Sequence, residues 1–94
     1  MKIKITVEAQ DDFEKAHKKY PAKINKIKKT IRILEEEGPD YPGLHTHVMK
    51  GQKAPGGGNI YISYVENKTP SAWRIYWSYW GKDIIGILYI GPHK

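Results

Sequence analysis

Arg74 stands inside the segment Trp73-Arg74-Ile75-Tyr76-Trp77-Ser78-Tyr79, and His93 comes soon after the segment Ile84-Ile85-Gly86-Ile87-Leu88-Tyr89-Ile90. Both segments are aromatic and β-branched and lie one short turn apart, which predicts a hairpin. An arginine on one strand and a histidine just past the end of its neighbour can converge on a phosphate. The chain is also basic, so a nucleic-acid site is the default expectation. A guanidinium donates two parallel hydrogen bonds to phosphate oxygens. An imidazole can serve as a general acid or base.

Other residues can join such a site. Alternation puts Trp73, Ile75, Trp77 and Tyr79 on one strand face and Arg74, Tyr76 and Ser78 on the other. Glu66 ends the preceding strand and offers a carboxylate base. The competing readings are a solvated hairpin end for Glu66, a surface ion pair of Arg74 with Glu66, and a solvated chain end for His93. Tyr64 and Tyr76 can stack on a base or donate a hydrogen bond. Lys50, Lys53 and Lys94 can meet phosphate, and a solvated charged surface accounts for them equally. His45-x-His47 would put two imidazoles on one face of a strand. With no cysteine and no third ligand nearby in sequence, no metal site is expected there, and no cofactor is expected either. Gly56-Gly57-Gly58 lacks the following lysine and helix start of a phosphate loop.

The elements that position these residues follow from periodicity. Lys2 to Glu8 alternates, with Ile3, Ile5 and Val7 on one face, and predicts a first strand. Asp11 or Asp12 caps a short helix carrying Phe13, Ala16 and His17. Tyr20-Pro21 ends it, and Pro21 opens a second helix reaching about Glu37. Ile24, Ile27, Ile31 and Leu34 form its apolar stripe. Lys29 and Arg32 lie opposite, Lys23, Lys26 and Lys28 flank it, and Ile33 falls off it. Leu44 to Met49 reads as a short extended segment, and Ala54 to Gly58 as a loop. Three strands follow, Ile60 to Glu66, Trp73 to Tyr79 and Ile84 to Ile90. The order is β-α-α-β-β-β, an α+β fold, with residues 1–94 as one domain.

Ninety-four residues leave no room for a second core. A hydrophobic share of 39% supports one small core, which excludes global disorder. The net charge of +6 favours partners bearing phosphate or carboxylate. The absence of cysteine removes disulfides and thiolate metal sites. The longest apolar run, Ile84 to Ile90, is too short to cross a bilayer, so no membrane partner is expected. The first residues alternate rather than forming the apolar stretch of a signal peptide, which leads us to expect a cytoplasmic protein.

The element order, the segments Trp73–Trp77 and Ile87–His93, and the run Leu44-His45-Thr46-His47-Val48-Met49-Lys50-Gly51 resemble the RelE/ParE superfamily of toxins from toxin–antitoxin modules. The resemblance implies a small, mainly antiparallel sheet with both helices on one face and a concave functional face on the other. Its RelE-like branch is similar to ribosome-dependent messenger-RNA endonucleases that work without metal. The resemblance places Arg74 at the family's strand arginine and His93 near its terminal polar position. It implies partners in a cognate antitoxin, messenger RNA and the ribosome, with the free chain a monomer or weak homodimer. The chain stops at Lys94, whereas several active relatives continue and place a tyrosine or acidic residue nearby. Two alternatives therefore stay open: a ParE-like inhibitor of gyrase, and a RelE-fold binding protein without catalysis.

Overall fold

The computed structural model describes residues 1–69 and 71–92. Their elements run β1 (Lys2–Ile5), α1 (Val7–Lys19), α2 (Pro21–Glu36), a 3-10 turn (Pro42–Leu44), β2 (His47–Lys53), β3 (Asn59–Tyr64), β4 (Trp73–Gly81) and β5 (Ile84–Pro92). The α+β class and the pair of helices stand as expected. The segment read as briefly extended becomes a full strand, so the sheet has five strands in the order β1-β5-β4-β3-β2. β1 joins β5 in parallel, and the other neighbours are antiparallel.

The first strand ends sooner than alternation predicts. Thr6, not Asp11 or Asp12, caps α1, its hydroxyl accepting the Ala9 N–H at 3.0 Å. Val7 continues the strand pattern in sequence, yet it opens the helix and is exposed. Asp12 has another task. Beyond the end of β1 the edge of β5 is unpaired, and the Asp12 carboxylate accepts the Ile90 N–H there at 3.1 Å. Ala9 and Ala16 are fully buried, small enough to let α1 lie close on that edge.

Tyr20-Pro21 breaks the helices as expected, with Pro21 in the first turn of α2. α2 buries Ile24, Ile27 and Leu34. Thr30, rather than Ile31, is the fourth buried residue, its hydroxyl donating to the Lys26 carbonyl at 3.1 Å. Ile31 and Ile33 are half-buried against the same core. The core lies between the helices and one sheet face, filled by Trp73, Ile75 and Trp77 of β4 and Ile85, Ile87 and Ile90 of β5. Trp77 is its centre. Its indole N–H donates to Ser63 Oγ at 2.9 Å, and Tyr61 stacks on its ring at 4.7 Å. The polar atom brought inside by Trp77 is thereby satisfied.

Strict alternation fails in β5. Tyr76 pairs with Tyr89, but Trp77 pairs with Ile87, so Leu88 is an extra residue. This bulge lets Ile85, Ile87 and Ile90 all face the helices, although their spacing breaks period two. It also turns Tyr89 to the opposite face, where its ring lies 5.2 Å from Tyr76. That face carries a second apolar cluster of Ala54, Ile60, Ile62 and Tyr76, flanked by Met49, Leu88 and Tyr89. The β2–β3 turn beside it needs glycine at Gly56 and Gly57, whose φ angles are +94° and +97°.

Glu66 ties α2 to the sheet. Its Oε2 accepts from Lys23 at 2.6 Å and Lys26 at 3.0 Å, and its Oε1 accepts the Trp73 N–H at 3.2 Å. Desolvation pushes its pKa up. The hydrogen bonds from Lys23, Lys26 and Trp73 and the Lys23 charge outweigh this, and hold it at about 2 against an ordinary 4.5. A carboxyl depressed in the folded state stabilises it above the unfolded value and loses that contribution as pH falls through the folded one. Stability should therefore decline as pH drops from 4.5 toward 2. Glu66→Gln should cost about 1–3 kcal/mol at neutral pH and should shed most of that acid dependence. Urea unfolding of both proteins across the acid range measures it, and parallel pH profiles would contradict this role.

Candidate functional site

The sheet face turned away from the helices is ordered in cross-strand rows. One row runs Tyr64 (β3), Arg74 (β4), Gly91 (β5), and the next runs His47 (β2), Ile62, Tyr76, Tyr89. Chemistry-bearing side chains from four strands therefore share one end of one face. The second apolar cluster forms the floor beside them.

Arg74 is the centre of this group. Its guanidinium carbon sits 3.6 Å from the centroid of the Tyr64 ring. Nη1 donates to the Glu66 carbonyl at 2.7 Å and to the Trp73 carbonyl at 3.3 Å. The residue is only 8% exposed, and Nε is buried with no hydrogen-bond partner among the described residues. No carboxylate neutralises it among the described residues, because the Glu66 carboxylate is held by lysines. Removing a cation from water costs several kcal/mol. A desolvated cation–π contact returns about 2 kcal/mol, and a charged hydrogen bond about 1.5–3 kcal/mol. These contacts offset the cost of burying the charge but leave Nε unsatisfied among the described residues. A buried cation with an unsatisfied N–H and no counter-charge is suited to an anion.

Tyr64 is the hub of the aromatic contacts. The His45 ring lies 5.0 Å from it, tilted by 37°, and the His47 ring 6.0 Å away, edge-on. His45 caps the 3-10 turn in the left-handed region at φ 49°. Its carbonyl is 2.9 Å from His47 Nδ1. His45 lies before β2, so the two imidazoles do not share a strand face, and His47 Nδ1 is engaged by the backbone. Among the described residues no three His, Asp or Glu side chains converge as a metal site.

Tyr89 completes the group. A Cβ on Gly91 would lie 2.4 Å from the Tyr89 hydroxyl, so that ring folds over Gly91, the cross-strand partner of Arg74. Only glycine leaves room for this approach. Burial raises the Tyr89 pKa, and Asp12 and Tyr76 raise it further, which keeps the phenol protonated and a donor.

Of the residues singled out in the sequence, Arg74, Tyr64 and Tyr76 share this face. The Glu66 carboxylate does not join them. It is anchored to α2, and a pKa of about 2 makes it a poor base. Lys53 donates to Asn59 Oδ1 at 2.7 Å near the far end of β2, roughly 20 Å of strand from His47. Lys50 is exposed on β2 between them. His93 and Lys94 lie outside the described residues. Sequence reasoning missed Tyr89 and Gly91, whose placement depends on the bulge, and it weighed His45 and His47 only as metal ligands.

No protein-family model matches the sequence, and no curated protein does. Solved structures do match. A YoeB/ParE toxin from Agrobacterium tumefaciens superimposes with a TM-score of 0.75 at 18% identity, covering 100% of both chains. The YoeB dimer from Staphylococcus aureus gives 0.72 at 14% identity, covering 100% of this chain and 98% of that one. YoeB in its complex with YefM, from the same organism, gives 0.70 at 13% identity over the same shares. At such identities the likeness is one of fold, and it extends over the whole chain: two helices and a five-stranded mixed sheet arranged as in the RelE/ParE-superfamily toxins.

Proposed function

We propose that the chain is the toxin of a toxin–antitoxin module, a metal-independent endoribonuclease cleaving messenger RNA on the ribosome. The observation that carries this reading is Arg74, a buried guanidinium stacked on Tyr64 and lacking a carboxylate partner among the described residues. Phosphate would replace the backbone carbonyls as its acceptor, and its fork would hold the two equatorial oxygens as charge develops. Tyr64 and Tyr76 would support the bases flanking the scissile phosphate. His93 would move a proton at the chain end. Lys50, Lys53 and Lys94 would contact the backbone of the RNA. Glu66, expected as a base, is assigned an anchoring role through Lys23 and Lys26 instead.

The Staphylococcus aureus YoeB is solved as a complex with YefM. By that likeness a cognate antitoxin is proposed here as well, its segment covering the Arg74 face and the basic surface of α2. The protein is proposed to act in the cytoplasm, and to be a monomer or weak homodimer when free.

Arg74→Lys keeps the charge and loses the planar fork. It should fold, and it should slow cleavage of ribosome-bound messenger RNA by about 10²–10³-fold, with a matching loss of toxicity on induction. Primer extension on messenger RNA after induction reads this out. Full cleavage by the folded variant would remove Arg74 from the site. Toxicity without cuts, accompanied by gyrase inhibition, would favour the ParE-like alternative.

Ribosome binding by the free protein should weaken steeply with salt, because each phosphate contact releases counterions. The antitoxin complex should bind ribosomes far less, since one surface cannot serve both partners. Co-sedimentation across a salt series measures both. Undiminished binding by the complex would separate the two surfaces.

A further inference from the structure

We infer that His47 is a catalytic residue of the Arg74 cluster, the base that takes the 2′-hydroxyl proton of the RNA. This rests on the nuclease reading above and supplies the base which that reading lacks once Glu66 is committed to α2. A backbone carbonyl can only accept a hydrogen bond. The 2.9 Å contact between His47 Nδ1 and the His45 carbonyl therefore assigns the proton to Nδ1. Nε2 is left with its lone pair, and it has no hydrogen-bond partner among the described residues. Fixing one nitrogen so that the other can act is how a protein prepares a histidine base.

The backbone that offers this carbonyl is itself unusual. His45 is held at φ 49°, a region that few non-glycine residues occupy, histidine being one of the better tolerated. Such a conformation persists where the surroundings impose it, and it clusters at functional sites. Here it has two consequences. It aims the His45 carbonyl at His47, and it lays the His45 ring against Tyr64.

Placement agrees with the role. Tyr64 meets both groups, the guanidinium 3.6 Å from its ring centroid and the His47 ring 6.0 Å away at a steep angle. Both histidines are exposed, so RNA can reach them. Among the described residues, the titratable and charged groups grouped with His47 around the Tyr64 ring are His45 on its own segment, Tyr64 itself on β3 and Arg74 on β4. In the step, Nε2 takes the proton from O2′ as the O2′–P bond forms. The P–O5′ bond breaks, its electron pair leaves with O5′, and O5′ takes a proton from solvent. The products are a 2′,3′-cyclic phosphate and a 5′-hydroxyl end, and the imidazolium returns its proton to solvent.

His47→Asn is the informative variant, because the Asn amide N–H can still reach the His45 carbonyl while no basic nitrogen remains. Single-turnover cleavage of ribosome-bound messenger RNA across pH, with wild type and variant in parallel, tests the role. His47→Asn should be about 10²–10⁴-fold slower and should lack the fall in rate toward acid pH that a histidine base predicts for wild type. Cleavage by the variant at the wild-type rate and with the wild-type profile would overturn the assignment while leaving the nuclease reading intact. Wild-type protein that makes no cuts would overturn the nuclease reading itself, and His47 with it. A second measurement needs no variant. Nitrogen-15 shifts of the His47 ring in the native protein should report the Nδ1–H tautomer, and a dominant Nε2–H tautomer would overturn the assignment even if His47→Asn failed to fold.

Discussion

The guanidinium of Arg74 lies against the Tyr64 ring with backbone carbonyls as its acceptors, and most of the other features depend on keeping it there. A buried cation normally recruits the nearest carboxylate. Glu66 is eight residues away in sequence and one carbonyl away in space, yet its carboxylate points to Lys23 and Lys26 of α2. The chain thus holds two cation systems apart. One closes α2 onto the sheet, and the other has no counter-charge among the described residues on the opposite face. That separation is what makes Arg74 available to an outside anion.

Three devices in the sheet serve this arrangement. The Leu88 bulge re-aims Tyr89, and Gly91 gives that ring room beside Arg74. The Trp77–Ser63 hydrogen bond and the Tyr61 stack hold β3 and β4 in register on the core side, so that Tyr64 and Arg74 meet on the other. The left-handed His45 then brings two imidazoles to the same ring. Together they place a cation–aromatic surface on the side of the sheet turned away from the helices.

Much of this was legible in the residues. Alternation in Trp73–Tyr79 correctly separated the core face from the face of Arg74 and Tyr76, because one face of β4 packs on helices. Pro21 marked the helix break for a steric reason that tertiary structure does not override. The failures also have physical causes. Val7 prolonged a strand pattern that a threonine cap had already ended. The bulge changed the period of β5 by one residue, which no alternation rule detects. Glu66 looked like a hairpin-end acid because its lysine partners lie some forty residues away in sequence, and only the fold brings them together. His45 and His47 suggested a strand pair, but one of them adopts a conformation that periodicity cannot encode.

The likeness to YoeB/ParE toxins fixes the frame on which these side chains are mounted. What distinguishes the site is the poised state of Arg74, and the Nε–H of that residue reports on it directly. The nitrogen-15 signal of Arg74 Nε, followed while a short RNA with 2′-O-methyl groups is titrated in, tests whether an incoming phosphate takes up the unsatisfied donor. A large, saturable shift that a neutral-backbone analogue of the same sequence fails to produce is the result expected of an anion site. A signal unmoved at saturating RNA would mean that Arg74 is a structural cation sealed beneath Tyr64.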